Sequence, residues 1–236
     1  TNVVLRSLKK GITALPEFFT EDIARQIKNE WGSPKLIYGN NCIAHLNDLR
    51  DLMNGVKLLL DKNGVFVFEC NYWGGMVKNI NYSLIYHDHF SYFSIDVWRK
   101  FLTKYKMTIF DAVVTPAQGG SLRLYISSNT RKKTKRFQNL INEEKKTKLN
   151  SFETSKIYRN NVDRISNKLR NIILNLIKNK KTVAGYGAAA KGMTILRCSG
   201  INGKHLKYFV DDSIAKQGKY SPVDHIPIIS RKKAEK

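Results

Sequence analysis

Two imidazoles, a carboxylate and two phenols lie within nine residues, in the segment Tyr86–Ser94. Histidine is the side chain whose ordinary pKa lies nearest to neutral pH, so an imidazole in such a cluster suits proton abstraction. Asp88 could orient a neighbouring imidazole, and the Tyr86 hydroxyl could donate a hydrogen bond to a developing oxyanion. These residue types at this spacing predict proton-transfer chemistry.

Two other interpretations of this segment stay open from the sequence. His87 and His89 would share one face of an extended strand, so a zinc site completed by His45 is conceivable. Neither a Cys-x-x-Cys pair nor a His-Glu-x-x-His helix supports such a site, and we predict no metal in this chain. The segment could also be a structural loop, because tyrosine and histidine often serve as hydrogen-bonded core residues.

The chain has 236 residues, which suits one large domain or two small ones, and its net charge is +22. Between Asn129 and Lys181 there are 16 Lys and Arg but 4 Asp and Glu. Apolar residues recur there at helical spacing, so we interpret the segment as a solvated amphipathic helix. Nucleic-acid binding is the alternative for such basicity. We expect no nucleic-acid partner, because the helix lacks interleaved aromatics and the chain has no zinc-finger or RNP-type module.

The three cysteines, Cys42, Cys70 and Cys198, are odd in number and widely spaced. They do not suggest a disulfide framework, which favours a reducing, cytoplasmic location. The sequence has no run of about 18 apolar residues, so we expect no membrane partner. It does not predict an oligomeric state.

Short apolar strands alternate with helices along the first half of the chain. Strands are predicted at Leu36–Gly39 and Gly64–Glu69, with a helix between them, and a further helix over Ile95–Tyr105. The runs Met107–Val114 and Ser121–Ser127 flank a Gly-Gly turn and predict a closing antiparallel pair. This alternation predicts an α/β fold with crossover helices.

A second α/β unit is predicted after the basic helix. It has strands at Thr182–Gly187 and Leu206–Asp211, and the residues after Ile229 are predicted to be a frayed basic tail. We therefore divide the chain into a first domain (1–128), a basic helical connector (129–181), a second domain (182–230) and a tail (231–236).

Gly185-x-Gly187-x-x-Ala190 fits the fingerprint of a dinucleotide-binding turn between a strand and a helix N-terminus. Asp211 lies 26 residues beyond Gly185, near the position of a ribose-binding acid. Taken alone, this motif suggests an NAD-dependent oxidoreductase or a nucleotide-binding module. A purely structural turn is the other interpretation.

Five segments in order resemble the two-domain sugar C-methyltransferases. These enzymes use S-adenosylmethionine to alkylate keto-deoxysugars carried on nucleoside diphosphates. The resemblance extends from about Asn2 to Ile229. Its segments are Asn40–Leu46, Tyr86–Ser94, Gly119–Tyr125, Gly185–Gly192, and Lys216–Tyr220 followed by His225–Ile228.

The sequence departs from this family at several points. Asp88 stands where the family carries Glu, and Gln118 stands where it carries His. The family begins with a cysteine-rich zinc-binding segment and two strands that hold the cofactor, and this chain enters the pattern after them. We therefore expect the chain to be the downstream part of a longer enzyme, with any zinc in the upstream segment. We also expect the 236 residues alone to bind S-adenosylmethionine weakly, and to be inactive without that segment.

The resemblance implies a fold and a set of roles. The fold is an incomplete class I methyltransferase Rossmann-like domain followed by a second Rossmann-like α/β domain. The catalytic base is His89, with Tyr86, Asp88 and His45 around the keto group. Asn40 and Asn41 follow a strand at its carboxyl end, where open α/β sheets bind ligands, and are assigned to the cofactor.

We expect the second domain to hold the nucleoside diphosphate of the substrate. Two glycines let the backbone approach an anion, and a lysine in the first turn of the following helix opposes the helix dipole unless a phosphate compensates it. The predicted substrate-binding residues are Gly185, Tyr186, Gly187, Lys191, Asp211, Lys216 and Lys219.

Overall fold

The computed structural model describes residues 2–222 and 224–235. Its elements follow in chain order as α1 (Asn2–Lys9), α2 (Glu21–Trp31), β1 (Leu36–Asn40), α3 (Leu49–Leu59), β2 (Val65–Asn71), α4 (Trp73–Asn79), α5 (Ile95–Thr103), β3 (Thr108–Thr115), β4 (Ser121–Ser127), α6 (Lys135–Lys146), α7 (Phe152–Lys178), β5 (Gly185–Tyr186), α8 (Ala190–Cys198), β6 (Phe209–Val210), β7 (Ile228–Ile229) and α9 (Arg231–Ala234). The predicted α/β class is confirmed.

The chain divides into two compact units. The first contains residues up to Tyr72 together with Phe93–Glu144, and the second contains Trp73–Tyr92 together with the chain from Lys145 onward. The boundaries predicted at residues 128 and 181 place Trp73–Tyr92 in the first domain, whereas the structure groups this segment with the second unit. The reason is a tertiary contact, since Tyr82 packs against residues of α7.

The first unit is built on a four-stranded sheet in the order β1-β2-β4-β3. Strands β1 and β2 are parallel and are joined through α3, as predicted. The predicted antiparallel pairing of β3 with β4 is confirmed, with a register shift between Ile109 and Asp111. Strands β2 and β4 are the two interior strands, and β1 lies at the edge of the described sheet, where Leu36 and Tyr38 are exposed.

Aromatic side chains fill the core of the first unit. Trp98 on α5 is buried, and its ring centroid lies 4.7 Å from that of Phe68 on β2 and 4.6 Å from that of Phe93. Helix α5 begins where the Tyr86–Ser94 segment ends, because the Ser94 hydroxyl accepts a hydrogen bond from the Val97 N–H as an N-cap. The last residues of that segment thus have a structural role.

The second unit contains a three-stranded parallel sheet in the order β5-β6-β7. Each strand has two residues, so the strands predicted over Thr182–Gly187 and Leu206–Asp211 are correct in place but too long. A buried apolar cluster supports this small sheet and consists of Ile173, Leu196, Ile201, Leu206, Phe209, Ile226 and Ile228. Two residue pairs join β5 to β6 and two join β6 to β7. This small sheet needs no longer hydrogen-bonded ladder, because the apolar cluster packs against it.

Two sequence predictions about helices are corrected. The basic connector is two helices, α6 and α7, because the chain turns between them and Ser151 caps the start of α7. The predicted frayed tail contains the short helix α9, which begins after Ser230, whose hydroxyl accepts a hydrogen bond from the Lys233 N–H. Within residues 2–222 and 224–235, no helix has the length and apolarity needed to cross a membrane.

Candidate functional site

The Tyr86–His89 stretch forms a tight turn in the second unit. The His89 N–H donates to the Tyr86 carbonyl at 3.0 Å, which closes the turn and brings the two side chains to the same side. Because the backbone is not extended here, His87 and His89 do not share a strand face as the zinc interpretation required. In the described part of the chain, no three His, Cys, Asp or Glu side chains are grouped so as to hold a metal ion.

Both ring nitrogens of His89 have hydrogen-bond partners. Nδ1 lies 2.9 Å from the Leu84 carbonyl oxygen, and Nε2 lies 2.9 Å from the Tyr86 hydroxyl oxygen. A carbonyl oxygen can only accept, so we assign the proton of the neutral ring to Nδ1. Nε2 then carries the lone pair and accepts a hydrogen bond from the Tyr86 hydroxyl. A neutral imidazole held in one tautomer with a directed lone pair is suited to act as a base.

The Tyr86 phenol remains a proton donor at neutral pH. Partial burial, with a further contribution from the negative charge of Asp88, raises the pKa of Tyr86 above its ordinary value. Its ring centroid lies 4.2 Å from that of His89. The structure therefore brings together His89 and Tyr86, two of the four predicted catalytic residues, as a hydrogen-bonded pair.

Tyr92 is a third member of this arrangement that the sequence analysis did not single out. Its hydroxyl donates to the Leu84 carbonyl at 3.1 Å, the same oxygen that accepts from His89 Nδ1, and its ring meets the His89 ring edge-on. The signal available in the sequence was a second tyrosine three residues after His89. The acceptor is a backbone atom, which residue types do not reveal.

Asp88 and His87 are at the surface of this turn. Their side chains are 60% and 88% exposed and approach to 3.0 Å, forming an ion pair whenever His87 is protonated. The predicted orienting contact of Asp88 with a neighbouring imidazole is therefore made with His87. A role for Asp88 at the reacting carbon stays a prediction.

The predicted cofactor residues lie at the carboxyl end of β1, in the first unit. Asn40 is the last residue of β1 and pairs with Glu69 of β2. Asn41 has a left-handed backbone with φ of 52°, and its N–H donates to the Glu69 carbonyl at 2.9 Å. His45 is exposed and ends the short 3-10 turn that follows. The roles of these three residues stay predictions.

A buried carboxylate at the same sheet edge was missed by the sequence analysis. Glu69 is 2% exposed and accepts from Arg123 Nε at 2.9 Å, from Arg123 Nη2 at 2.8 Å and from the Thr115 hydroxyl at 3.0 Å. These contacts compensate its charge and tie the ends of β2, β3 and β4 together. The available signal was an acid that ends an apolar strand, with an arginine on a neighbouring strand.

The glycine-rich turn of the second unit has the backbone that its sequence suggests. Gly185 packs against Phe209, because a Cβ at residue 185 would lie 2.3 Å from that ring. Gly187 has φ of +86°, a conformation that favours glycine. The turn lies between β5 and α8, which matches the predicted strand, turn and helix.

Asp211 organises this turn from within. It is 7% exposed; its carboxylate accepts from the Ala188 N–H at 2.8 Å, from the Ser213 N–H at 2.9 Å and from Lys216 Nζ at 3.0 Å. The hydrogen bond from Ser213 and that from Lys216 hold the pKa of Asp211 below its ordinary value. Lys216 also donates to the Ala188 carbonyl at 3.0 Å. Both predicted substrate residues thus have structural contacts of their own.

The other predicted substrate residues surround the same turn. Tyr186 is 69% exposed and its hydroxyl donates to Asp212 at 2.8 Å, which raises the pKa of Tyr186. Lys191 is half-buried in the first turn of α8, and Lys219 is exposed in the loop between β6 and β7. Their contact with a substrate stays a prediction.

Helix α8 joins the two predicted functional segments within the second unit. Its first turn follows the glycine-rich turn, and one turn later the Thr194 hydroxyl donates to the Ile85 carbonyl at 3.2 Å. Ile195 packs against the cluster of Tyr82, Tyr158 and Val162. The Tyr86–His89 turn, called the histidine turn below, and the glycine-rich turn between β5 and α8, called the glycine turn, are about 100 residues apart in sequence. Both therefore lie next to helix α8.

The sequence matches a known family over just over half of its length. A sequence model described as the C-methyltransferase C-terminal domain matches residues 116–236, which include the glycine-rich turn and Asp211. This chain belongs to the C-methyltransferase family. The resemblance drawn from the five segments is thus confirmed, as is the prediction that the chain belongs to a family of enzymes.

A curated relative extends the similarity of this C-methyltransferase chain to the histidine turn. C-methyltransferase NovU of Streptomyces niveus is 29% identical over 227 residues, which cover 95% of this chain and 54% of the relative. The chain therefore spans about half the length of the curated relative that it matches. The aligned region is long enough to include both the Tyr86–His89 turn and the first-unit sheet.

Proposed function

We propose that this chain takes part in the S-adenosylmethionine-dependent C-methylation of a keto-deoxysugar carried on a nucleoside diphosphate. Family membership supports methyl transfer to carbon. The observation that carries the proposal is the His89–Tyr86 pair, with one imidazole nitrogen fixed by a backbone carbonyl and the other facing a phenol at 2.9 Å. Methylation at a carbon next to a ketone needs a base for the α-proton and a donor for the enolate oxygen, and this pair offers both.

In this mechanism His89 Nε2 accepts the α-proton. The Tyr86 hydroxyl, which donates to Nε2 in the absence of substrate, turns its hydrogen bond to the keto oxygen as negative charge develops there. The charge of the resulting imidazolium is stabilised through Nδ1, which stays hydrogen-bonded to the Leu84 carbonyl. The proton later leaves Nε2 to solvent. A positioned base of this kind typically contributes ~10²–10⁴-fold.

We assign the methyl donor to the first unit. The side chains of Asn40 and Asn41 follow β1 at the carboxyl edge of the sheet, where α/β folds bind ligands, and their amides can both donate and accept hydrogen bonds. The left-handed backbone of Asn41 ends the strand there, which fits a ligand-facing turn. When bound, S-adenosylmethionine would supply an electrophilic methyl group to the carbon that has lost its proton.

The second unit is proposed to hold the nucleoside diphosphate. Gly187 allows the backbone to approach the phosphates, and Lys191 adds positive charge in the first turn of α8. Lys216 Nζ donates one hydrogen bond to Asp211 and one to the Ala188 carbonyl. An ammonium group has three N–H donors, so the third can donate to a phosphate. Tyr186 and Lys219 border the same turn.

The dinucleotide pattern gave NAD-dependent oxidoreduction as the alternative function. In that pattern the acid after the second strand is kept for a ribose hydroxyl. Here the corresponding Asp211 accepts a hydrogen bond from the Ala188 N–H of the turn itself. Because this contact engages Asp211 for either nucleotide, the preference for methyl transfer rests on the family match and on the His89–Tyr86 pair, to which a nicotinamide function gives no role.

A direct assay separates the two functions. The native enzyme is incubated with a nucleoside-diphosphate keto-deoxysugar and either S-adenosylmethionine or NADH, and the products are analysed by mass spectrometry. We expect a sugar heavier by one methylene unit, with release of S-adenosylhomocysteine, in the S-adenosylmethionine arm alone. Oxidation of NADH with reduction of the sugar ketone, and no methylation in the S-adenosylmethionine arm, would overturn the proposal.

A further inference from the structure

The peptide groups on both sides of Ile85 determine where the His89–Tyr86 pair lies. The Ile85 N–H donates to the Tyr82 carbonyl at 3.0 Å. That N–H belongs to the same rigid peptide plane as the Leu84 carbonyl, so the carbonyl must point the opposite way. It is this carbonyl that accepts from His89 Nδ1 and from Tyr92. The orientation of one peptide group thus sets the position of the imidazole.

The next peptide group is held from another element. The Ile85 carbonyl accepts from the Thr194 hydroxyl at 3.2 Å, and this carbonyl shares a rigid plane with the Tyr86 N–H. The backbone that carries the Tyr86 phenol is therefore fixed by α8. With both planes held, the turn has little freedom to move the phenol away from His89.

Helix α8 is itself firmly placed in the second unit. Leu196 is buried in the apolar cluster of that unit, and Ile195 packs against the cluster that contains Tyr82. At the end of the helix, Arg170 Nη1 donates to the carbonyl of Gly200 at 2.7 Å. Thr194 is therefore a hydrogen-bond donor on a rigid element, aimed at a backbone that has no regular secondary structure.

We propose that Thr194 is a positioning residue for the base, a role that rests on the proposed function of His89. Its hydroxyl fixes the Ile85–Tyr86 peptide group and so keeps the Tyr86 phenol within hydrogen-bond distance of the His89 imidazole. Because Thr194 lies one turn beyond Lys191, the helix that is proposed to meet the substrate phosphates also aligns the base. Thr194 itself does not touch the reacting atoms.

The test compares Thr194→Val, which keeps the shape and removes the hydroxyl, with Thr194→Ser, which keeps the hydroxyl. Thr103→Val is the matched control, because Thr103 also donates to a backbone carbonyl on a helix, that of Lys100 at 2.6 Å in the first unit. The first readout is the ¹⁵N imidazole spectrum, which distinguishes the tautomers. The chain has 5 histidines, and the His89 signals are assigned by their loss in His89→Gln.

We expect the wild type, Thr194→Ser and Thr103→Val to show His89 protonated at Nδ1. In Thr194→Val the signals should shift towards a mixture of tautomers. In the native enzyme Thr194→Val should lower kcat by about 10-fold with KM nearly unchanged, less than the ~10²-fold that a 1 Å misplacement can cost. Thr194→Ser should restore kcat.

The two hypotheses fail in different ways. A wild-type His89 spectrum in Thr194→Val would overturn the positioning role, whatever the enzyme catalyses. A changed spectrum with unchanged methylation would also overturn it, since the alignment would then not matter to the reaction. If the spectrum changes but the wild type methylates no sugar, the contact is supported and the proposed function is what fails.

Discussion

The histidine turn and the glycine turn are both rich in polar groups, but they use them in opposite ways. In the first, the Leu84 backbone carbonyl holds one side of His89 and leaves a basic nitrogen facing the Tyr86 hydroxyl. In the second, the charges of Asp211 and Lys216 meet each other and the backbone of Ala188. The first region retains a group that can take up a proton, whereas the second has its charges neutralised to shape a loop.

Because of this difference, substitutions in the two turns should change different measured properties. A reactive nitrogen that is positioned by backbone contacts should affect rate and pH dependence, with little effect on binding or folding. A loop that is shaped by an internal ion pair and glycine conformations should affect ligand affinity and stability. Variants in the histidine turn should therefore alter the rate, and variants in the glycine turn should alter ligand affinity or stability.

The largest effect expected in the glycine turn comes from Lys191→Ala. If Lys191 meets a substrate phosphate, its loss should weaken nucleotide-sugar binding by roughly 1.5–3 kcal/mol, or about 10–150-fold in Kd. Calorimetric titration of a nucleoside diphosphate into wild type and variant measures this. Affinity for S-adenosylmethionine should barely change, because the donor is assigned to the first unit.

The control for Lys191→Ala is Lys204→Ala, an exposed lysine of the same unit with no assigned role. It removes the same charge, so a general electrostatic effect would weaken binding in both variants. Equal affinities of wild type and Lys191→Ala would remove Lys191 from the proposed phosphate site, and the role of the histidine turn would be unaffected.

A smaller effect is expected from Asp211→Asn, and it should depend on pH. The folded-state pKa of Asp211 is lowered, first by the Ser213 N–H and then by Lys216, so the folded state binds the proton less readily than the unfolded state. The stabilisation is present above the unfolded pKa of about 3.9 and is lost as the pH falls through the lower folded value. Thermal unfolding from pH 7 to pH 3 measures it.

Asp211→Asn should lower Tm at pH 7, and the difference from wild type should shrink below about pH 4. Asp212→Asn is the matched control, because Asp212 is exposed and accepts a hydrogen bond from the exposed phenol of Tyr186, and its effect on Tm should be smaller. A Tm difference that grows on acidification would contradict the assignment of Asp211 as an ionised loop anchor.

Long strands of the first unit could be predicted from sequence because their pattern repeats over many residues. Ser121–Ser127 was predicted with the bounds that β4 has, and its antiparallel partner β3 was placed correctly. The two-residue strands β5 and β6 could be located but not bounded. In strands this short no periodicity exists, and the cluster around Phe209 and Ile228 decides where pairing stops.

The site could be predicted where side-chain types carry the chemistry, and not where backbone atoms do. Tyr86 and His89 stand out by residue type and lie together. The Leu84 carbonyl that selects the His89 tautomer is a backbone atom, so the sequence could not predict its role. The assignment of Trp73–Tyr92 to the second unit depends on packing of Tyr82 against α7, a contact between segments far apart in sequence. The Thr194 contact has the same origin.

The most direct test of His89 as the catalytic base is hydrogen exchange with solvent at the substrate α-carbon. The native enzyme is incubated in deuterium oxide with the keto sugar and S-adenosylhomocysteine, so that proton removal is observed without methyl transfer. His87→Gln is the control, since His87 is the exposed imidazole two residues away. We predict that wild type and His87→Gln incorporate deuterium, and that His89→Gln loses incorporation by at least ~10²-fold while still binding nucleotide sugar. Undiminished incorporation in His89→Gln would contradict the central claim that His89 is the base.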